Sequence, residues 1–211
     1  MAHSVCPWWI GYFLASPLRK LRQNPKTILQ GHVKKGMVVL EPGPGMGFFT
    51  LELARLAGSS GKVIAVDLQK KMLQALTRKA ARAGLNARIE TRLVGTKGLG
   101  INDLKGKVDF VLAFAMVHEV PNPQLFFRET STCLKAKGRV LFGEPSGHVS
   151  EAQFADSLKM AEREGLVVVK ELDITGSRTA LLEKKAGSGA RVSKKPARKP
   201  LARKKPAAKR K

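Results

Sequence analysis

Five short, apolar, β-rich runs alternate with amphipathic stretches through the middle of the chain, and this alternation constrains the fold more than any other feature. The runs are Met37–Leu40, Val63–Val66, Ala87–Leu93, Val108–Phe114 and Arg139–Phe142. Between and after them lie Phe49–Leu56, Gln69–Ala83, Gln124–Leu134 and Ser150–Glu164, with apolar residues at helical spacing. A strand that is apolar on both faces needs a cover on both faces, and a helix after each strand supplies it. The expectation is an α/β three-layer sandwich around a mostly parallel sheet. After the last helix the pattern changes. Leu166–Ile174 and Arg178–Glu183 are separated only by Thr175, Gly176 and Ser177, which predicts an antiparallel pair closing the sheet.

The 211 residues suit one domain plus an appendage, and an apolar content of 43% excludes wholesale disorder. Lys plus Arg number 39 against 16 Asp plus Glu, a formal net charge of +23. Thirteen of those positive charges fall in residues 184–211, which contain no acid. That segment, KKAGSGARVSKKPARKPLARKKPAAKRK, has almost no large apolar side chain, so burial cannot offset its chain entropy and disorder is expected. Multiple cations release counterions from DNA or RNA, so nonspecific nucleic-acid contact is its expected role, with a solubilising extension as the alternative. In composition it resembles the lysine, alanine and proline repeats of linker-histone-like bacterial tails.

No run approaches the ~20 apolar residues that span a bilayer, so no membrane span is expected. The apolar run Cys6–Ala15 is followed, not preceded, by Arg19, Lys20 and Arg22, unlike a signal peptide, and is read as part of the mature protein. Two cysteines, Cys6 and Cys133, make neither a disulfide framework nor a zinc motif, and a cytoplasmic location is the simplest expectation. The domain reading is therefore an aromatic cap over residues 1–33, a catalytic domain over 34–183 and a basic tail over 184–211. Trp8, Trp9, Tyr12 and Phe13 of the cap could line a lid over a flat or cationic acceptor, or simply complete the core.

VVLEPGPGMGFFTLELARL passes from strand through a glycine loop into helix. Gly43, Gly45 and Gly47 lack a Cβ at every second position, which lets the backbone turn sharply and lie close to a ligand. A dinucleotide fingerprint needs glycine at position 48, which is Phe48, and a P-loop would end in Gly-Lys-Ser/Thr. Glu41 at the strand end would repel a pyrophosphate and attract a ligand bearing ammonium and sulfonium groups. Asp67 closes the second strand 24 residues after Gly43, where an acid accepts hydrogen bonds from both ribose hydroxyls.

With those residues in hand, the chain resembles the class I S-adenosylmethionine-dependent methyltransferases over Lys34–Glu183. The resemblance rests on LEPGPGMG, VIAVD, DFVLAFAMVHEVP and LKAKGRVLFGEP. CPWWIGYFLASPLRK, VHEVP and EPSGHVS further resemble a group of small prokaryotic methyltransferase-domain proteins. The resemblance implies a Rossmann-like, seven-stranded sheet with an antiparallel last strand, and S-adenosylmethionine as cofactor. It also implies that Glu41, Gly43, Gly45 and Gly47 wrap the methionine part, Asp67 holds the ribose, and Leu68 and Met72 flank the adenine. Ala115, ending the fourth strand, completes the cofactor set. Many members carry an acid after the third strand. This chain offers Val94, Gly95 and Thr96 there, so backbone or Thr96 would meet the adenine amino group.

Ligands of open α/β sheets bind beyond the C-terminal strand ends, so the loops after strands four and five should line the acceptor side. They carry His118 and Glu119, then Glu144 and His148. Methyl transfer needs proximity in a dry pocket, and a base only if the acceptor loses a proton. His118 is the candidate base, oriented by Glu119 or Glu144. Alternatively, His118 and Glu119 bond only loop backbone. His118, Glu144 and His148 lack metal-ligand spacing, and no metal is expected. Base methylation is disfavoured because AFAMVHEVP stands where NPPY or DPPY would, and Cys133 is not in a Pro-Cys motif. The function expected is methyl transfer to an unidentified, small-molecule acceptor. The alternative is nucleic-acid binding through the tail, with the cofactor domain degenerate or acting on RNA or protein.

Overall fold

The computed structural model describes residues 23–186. The calls on Cys6, the aromatic cluster of residues 8–13, and the tail beyond Ala186 lie outside the described residues. A short helix α1 (Pro25–Leu29) leads into β1 (Val38–Pro42), α2 (Thr50–Ala57), β2 (Lys62–Asp67), α3 (Lys70–Arg82) and β3 (Ile89–Leu93). Then come β4 (Val108–Phe114), α4 (Pro123–Cys133), β5 (Leu134–Pro145), α5 (Glu151–Arg163), β6 (Leu166–Ile174) and β7 (Ser177–Lys184). The seven strands form one sheet in the order β3-β2-β1-β4-β5-β7-β6, parallel through β5 and antiparallel at β5–β7 and β7–β6. The expected mostly parallel sheet with an antiparallel close is what forms.

Strand alternation sorts the core onto two faces. Val111 and Ala113 of β4, with Val140 and Phe142 of β5, join Phe126, Phe127 and Phe154 from α4 and α5. Phe110, Leu112 and Leu141 face the other way, onto Leu29 of α1, Leu53 of α2 and Phe49, which precedes α2. Phe142 and Phe127 are fully buried and meet edge to face at 5.5 Å. Each such ring contributes roughly 2–3 kcal/mol by burial.

Local chemistry sets the helix starts. Asn122 accepts the Leu125 N–H at 2.9 Å with Pro123 in the first turn, and Ser150 and Gln153 form a reciprocal capping box on α5. Two boundaries differ from expectation. β5 begins at Leu134, directly from α4, because Leu134 pairs with Val108 of β4 although LKAKG reads as polar. β3 begins only at Ile89, since Asn86–Arg88 form a single 3₁₀ turn.

Candidate cofactor and acceptor site

The strand order reverses direction between β1 and β4, and a cleft of about 230 Å³ opens at the C-terminal ends of those strands. The β1–α2 loop forms one wall. Gly43, Gly45 and Gly47 all have left-handed backbone, with φ of +65°, +54° and +85°. They do different work. A Cβ on Gly45 would meet nothing within 4 Å, so this residue presents bare backbone to the cleft. A Cβ on Gly43 would lie 3.1 Å from Met116. Gly47 does not line the cleft; its Cβ would come within 2.6 Å of Leu76 on α3, so it serves packing between loop and helix.

Glu41 is 3% exposed, and its Oε2 has no hydrogen-bond partner. The Thr50 hydroxyl sits near enough to favour the ionised carboxylate but lacks hydrogen-bond geometry, and Thr50 Oγ1 is likewise unpartnered. Burial outweighs this and pushes the Glu41 pKa up to about 8, with the Asp67 charge adding to the effect. Asp67 accepts the Gln69 N–H at 2.8 Å, and its pKa is raised, chiefly by burial. A buried carboxylate with an unpaired oxygen is costly to a protein unless a donor or a cation completes it.

Leu68, Met72, Thr96 and Ala115 also line the cleft. Ala115 has φ of +58°, unusual for a residue with a side chain, and turns the chain from β4 into the 3₁₀ turn Val117–Glu119. Glu129 of α4 lines the cleft too, and sequence gave no sign of it. Its Oε2 accepts the Leu99 N–H at 2.8 Å, and a Cβ on Gly98 would meet its Oε1 at 2.7 Å. Four carboxylates, those of Glu41, Asp67, Glu119 and Glu129, thus line the cleft, and among the described residues no Lys, Arg or His does. In a chain of charge +23, such a concentration of acids favours a cationic ligand over an anionic one.

The acceptor-side candidates divide. Glu119 lines the cleft, whereas His118, Glu144 and His148 stand beside it, toward β5. Glu144 is 1% exposed and fully engaged. Its Oε1 accepts the Val117 and His118 N–H groups at 2.8 and 3.2 Å, and its Oε2 lies 2.5 Å from His118 Nδ1. Glu144, rather than Glu119, therefore orients the imidazole: His118 Nε2 is 3.8 Å from Glu119. The Glu144 bond raises the His118 pKa against the opposing effect of burial. His148 meets the His118 ring edge-on at 6.0 Å. Among the described residues, no three His, Cys, Asp or Glu side chains are placed to hold a metal ion.

A doubly wound sheet with an anionic, glycine-walled cleft at its switch point defines a domain that binds a cationic nucleoside cofactor. The methyltransferase-domain family model matches residues 33–187, and the chain belongs to that family, with S-adenosylmethionine as cofactor. Ubiquinone/menaquinone biosynthesis C-methyltransferase UbiE of Salmonella arizonae is 28% identical over 151 residues, covering 70% of this chain. The chain spans 59% of that relative's length. "Probable ribosomal RNA small subunit methyltransferase A" of Pyrococcus furiosus is 40% identical over 77 residues, 31% of this chain and 27% of that protein. Among solved structures, a SAM-dependent methyltransferase of Aquifex aeolicus shares the fold with a TM-score of 0.75 at 21% identity, covering 85% of this chain and 98% of that one.

Proposed function

We propose that the domain transfers a methyl group to a small-molecule acceptor held over the ends of β4 and β5. The observation that carries the reading is the buried Glu41 carboxylate, its Oε2 without a partner, beneath a glycine loop whose Gly45 leaves open space for a ligand. S-adenosylmethionine supplies an electrophilic methyl group on a sulfonium. Glu41 takes the ammonium end, and the bare backbone at Gly43 and Gly45 lets the methionine part lie close. Asp67 accepts the ribose hydroxyls, and Leu68, Met72 and Thr96 surround the base. Glu129 reaches the 98–99 loop from α4 and supplies the acid that is missing after β3.

His118 acts where the acceptor must lose a proton. With Nδ1–H donated to Glu144, its Nε2 is the basic nitrogen and takes that proton as the acceptor forms its bond to carbon. Because Glu144 raises the His118 pKa, the base is competent only on the alkaline side of the ordinary histidine range. A polyphosphate acceptor is disfavoured by the four carboxylates of the cleft. Calorimetry with S-adenosylhomocysteine tests the cofactor site: Asp67→Ala should weaken binding at least tenfold, and unchanged affinity would remove Asp67 from it. An acceptor screen with labelled S-adenosylmethionine tests the rest, and labelled nucleic acid without any small-molecule product would overturn the acceptor class.

A further inference from the structure

The end of the sheet opposite the cleft is cationic strand by strand. In parallel strands all N-terminal ends lie at one edge, and β7, running antiparallel, ends there too. Lys62 begins β2, Lys34 and Lys35 precede β1, Lys105 and Lys107 precede β4, Lys135 and Lys137 open β5, and Lys184 ends β7. β2, β1, β4, β5 and β7 are consecutive neighbours in the sheet, so at about 4.8 Å per strand the lysines form a row roughly 19 Å long. Three acids of this end are already engaged, Glu90 with Lys62, Asp109 with Lys135 and Glu183 with Arg139. Lys34, Lys35, Lys105, Lys107 and Lys137 are exposed and make no ion pair among the described residues. Burial lowers the Lys184 pKa, Cys133 opposes this, and the Lys105 charge adds a smaller push in the same direction as burial.

The basic segment begins at this edge. Lys185 N–H bonds Gly165 O, and the chain continues from there into the remaining lysines and arginines of residues 186–211. We propose that the lysine row is a nucleic-acid-binding surface, which grips the phosphate backbone at the end of the domain opposite the methyl-transfer cleft. Nucleic acid is then an anchor for the enzyme, not its methyl acceptor. Duplex DNA presents one negative charge per ~1.7 Å of axis, both strands counted, so a row of that length spans about eleven phosphate charges. The seven residues of β4, at about 3.3 Å each, put roughly 20 Å between these lysines and the cleft, whose carboxylates would repel a phosphate. A membrane surface fits less well, because residues 184–211 offer only Val192 and Leu201 as large apolar side chains.

Fluorescence anisotropy of the full chain with a labelled 30-base-pair duplex, titrated across salt concentrations, tests this. Lys105→Glu with Lys107→Glu and Lys137→Glu should weaken binding at least tenfold and reduce the salt slope by about 0.9 per lost phosphate contact. Lys137 has φ of +60°, so Lys137→Gly removes a charge while easing the backbone, and this variant should fold as well as the parent and lose about one unit of slope. Saturating S-adenosylhomocysteine should leave the affinity unchanged. The proposal is overturned if the basal variants bind as the parent does, or if Lys70→Glu with Lys97→Glu at the cleft rim causes the loss instead. Competition by S-adenosylhomocysteine, or tighter binding to phosphatidylglycerol vesicles than to the duplex, would overturn it equally.

Discussion

Cofactor binding should be driven by pH through Glu41. Burial holds this carboxyl at about 8 against an ordinary 4.5, so at pH 6 to 7 the free protein carries it protonated. An α-ammonium group, with an ordinary pKa near 7.7–8.0, remains charged over most of that range and favours the ionised carboxylate. Binding must then expel close to one proton from Glu41. Each pH unit below 8 costs about 1.4 kcal/mol, so affinity for S-adenosylhomocysteine should rise nearly tenfold from pH 5.5 to 6.5 and again to 7.5. Asp67 is raised by burial as well and, because its charge also acts on Glu41, steepens the same dependence. Glu41→Gln isolates the term: calorimetry in buffers of different ionisation enthalpy should find about one proton fewer released, weaker binding and a shallower pH slope. The same linkage acts on the unliganded fold. A group whose folded pKa is raised contributes stability that is present below 4.5 and is lost as pH climbs through 8, by up to about 1.4 kcal/mol per unit in that window. Thermal melts of the parent should therefore lose stability across the window relative to Glu41→Gln. Equal proton release by the two proteins would refute the assignment of the buried carboxylate to the cofactor's cationic end.

The glycine loop offers a contrast between neighbours. Gly45→Ala should weaken S-adenosylhomocysteine binding at least tenfold while costing about 1 kcal/mol of stability from its left-handed backbone, because its Cβ enters open space. Gly47→Ala should cost about 1–3 kcal/mol in chemical denaturation, through its left-handed backbone and the contact with Leu76, a loss of stability with no direct effect on the cleft. For an acceptor that loses a proton, the turnover of the parent should fall on the acid side with a pKa above 6.5. Glu144→Gln should move that limb to lower pH and His118→Ala should remove it; an unshifted limb in both variants would exclude the pair from proton transfer.

The strands and helices were legible because periodicity is a local property: Val108–Phe114 reads as a buried strand without knowledge of its neighbours. What sequence could not supply depends on tertiary partners. GPGMG announces three permissive backbones, yet only the arrival of Leu76 separates the packing glycine from the one that faces the cleft. His118 and Glu119 are adjacent, but a single 3₁₀ turn sends one toward Glu144 and the other into the cleft. Glu129 lies on an ordinary amphipathic helix and matters only because α4 leans over the 98–99 loop. Charge shows the same limit most clearly. A formal +23 suggests a uniformly basic surface, and no count of residues reveals that four carboxylates meet in one cleft. Parallel topology does the sorting. Acids at the C-terminal ends of β1 and β2 meet in the cleft, while lysines at the starts of β1, β2, β4 and β5 line the opposite edge. A cation and a polyanion can therefore be held by one small domain without competing for the same field.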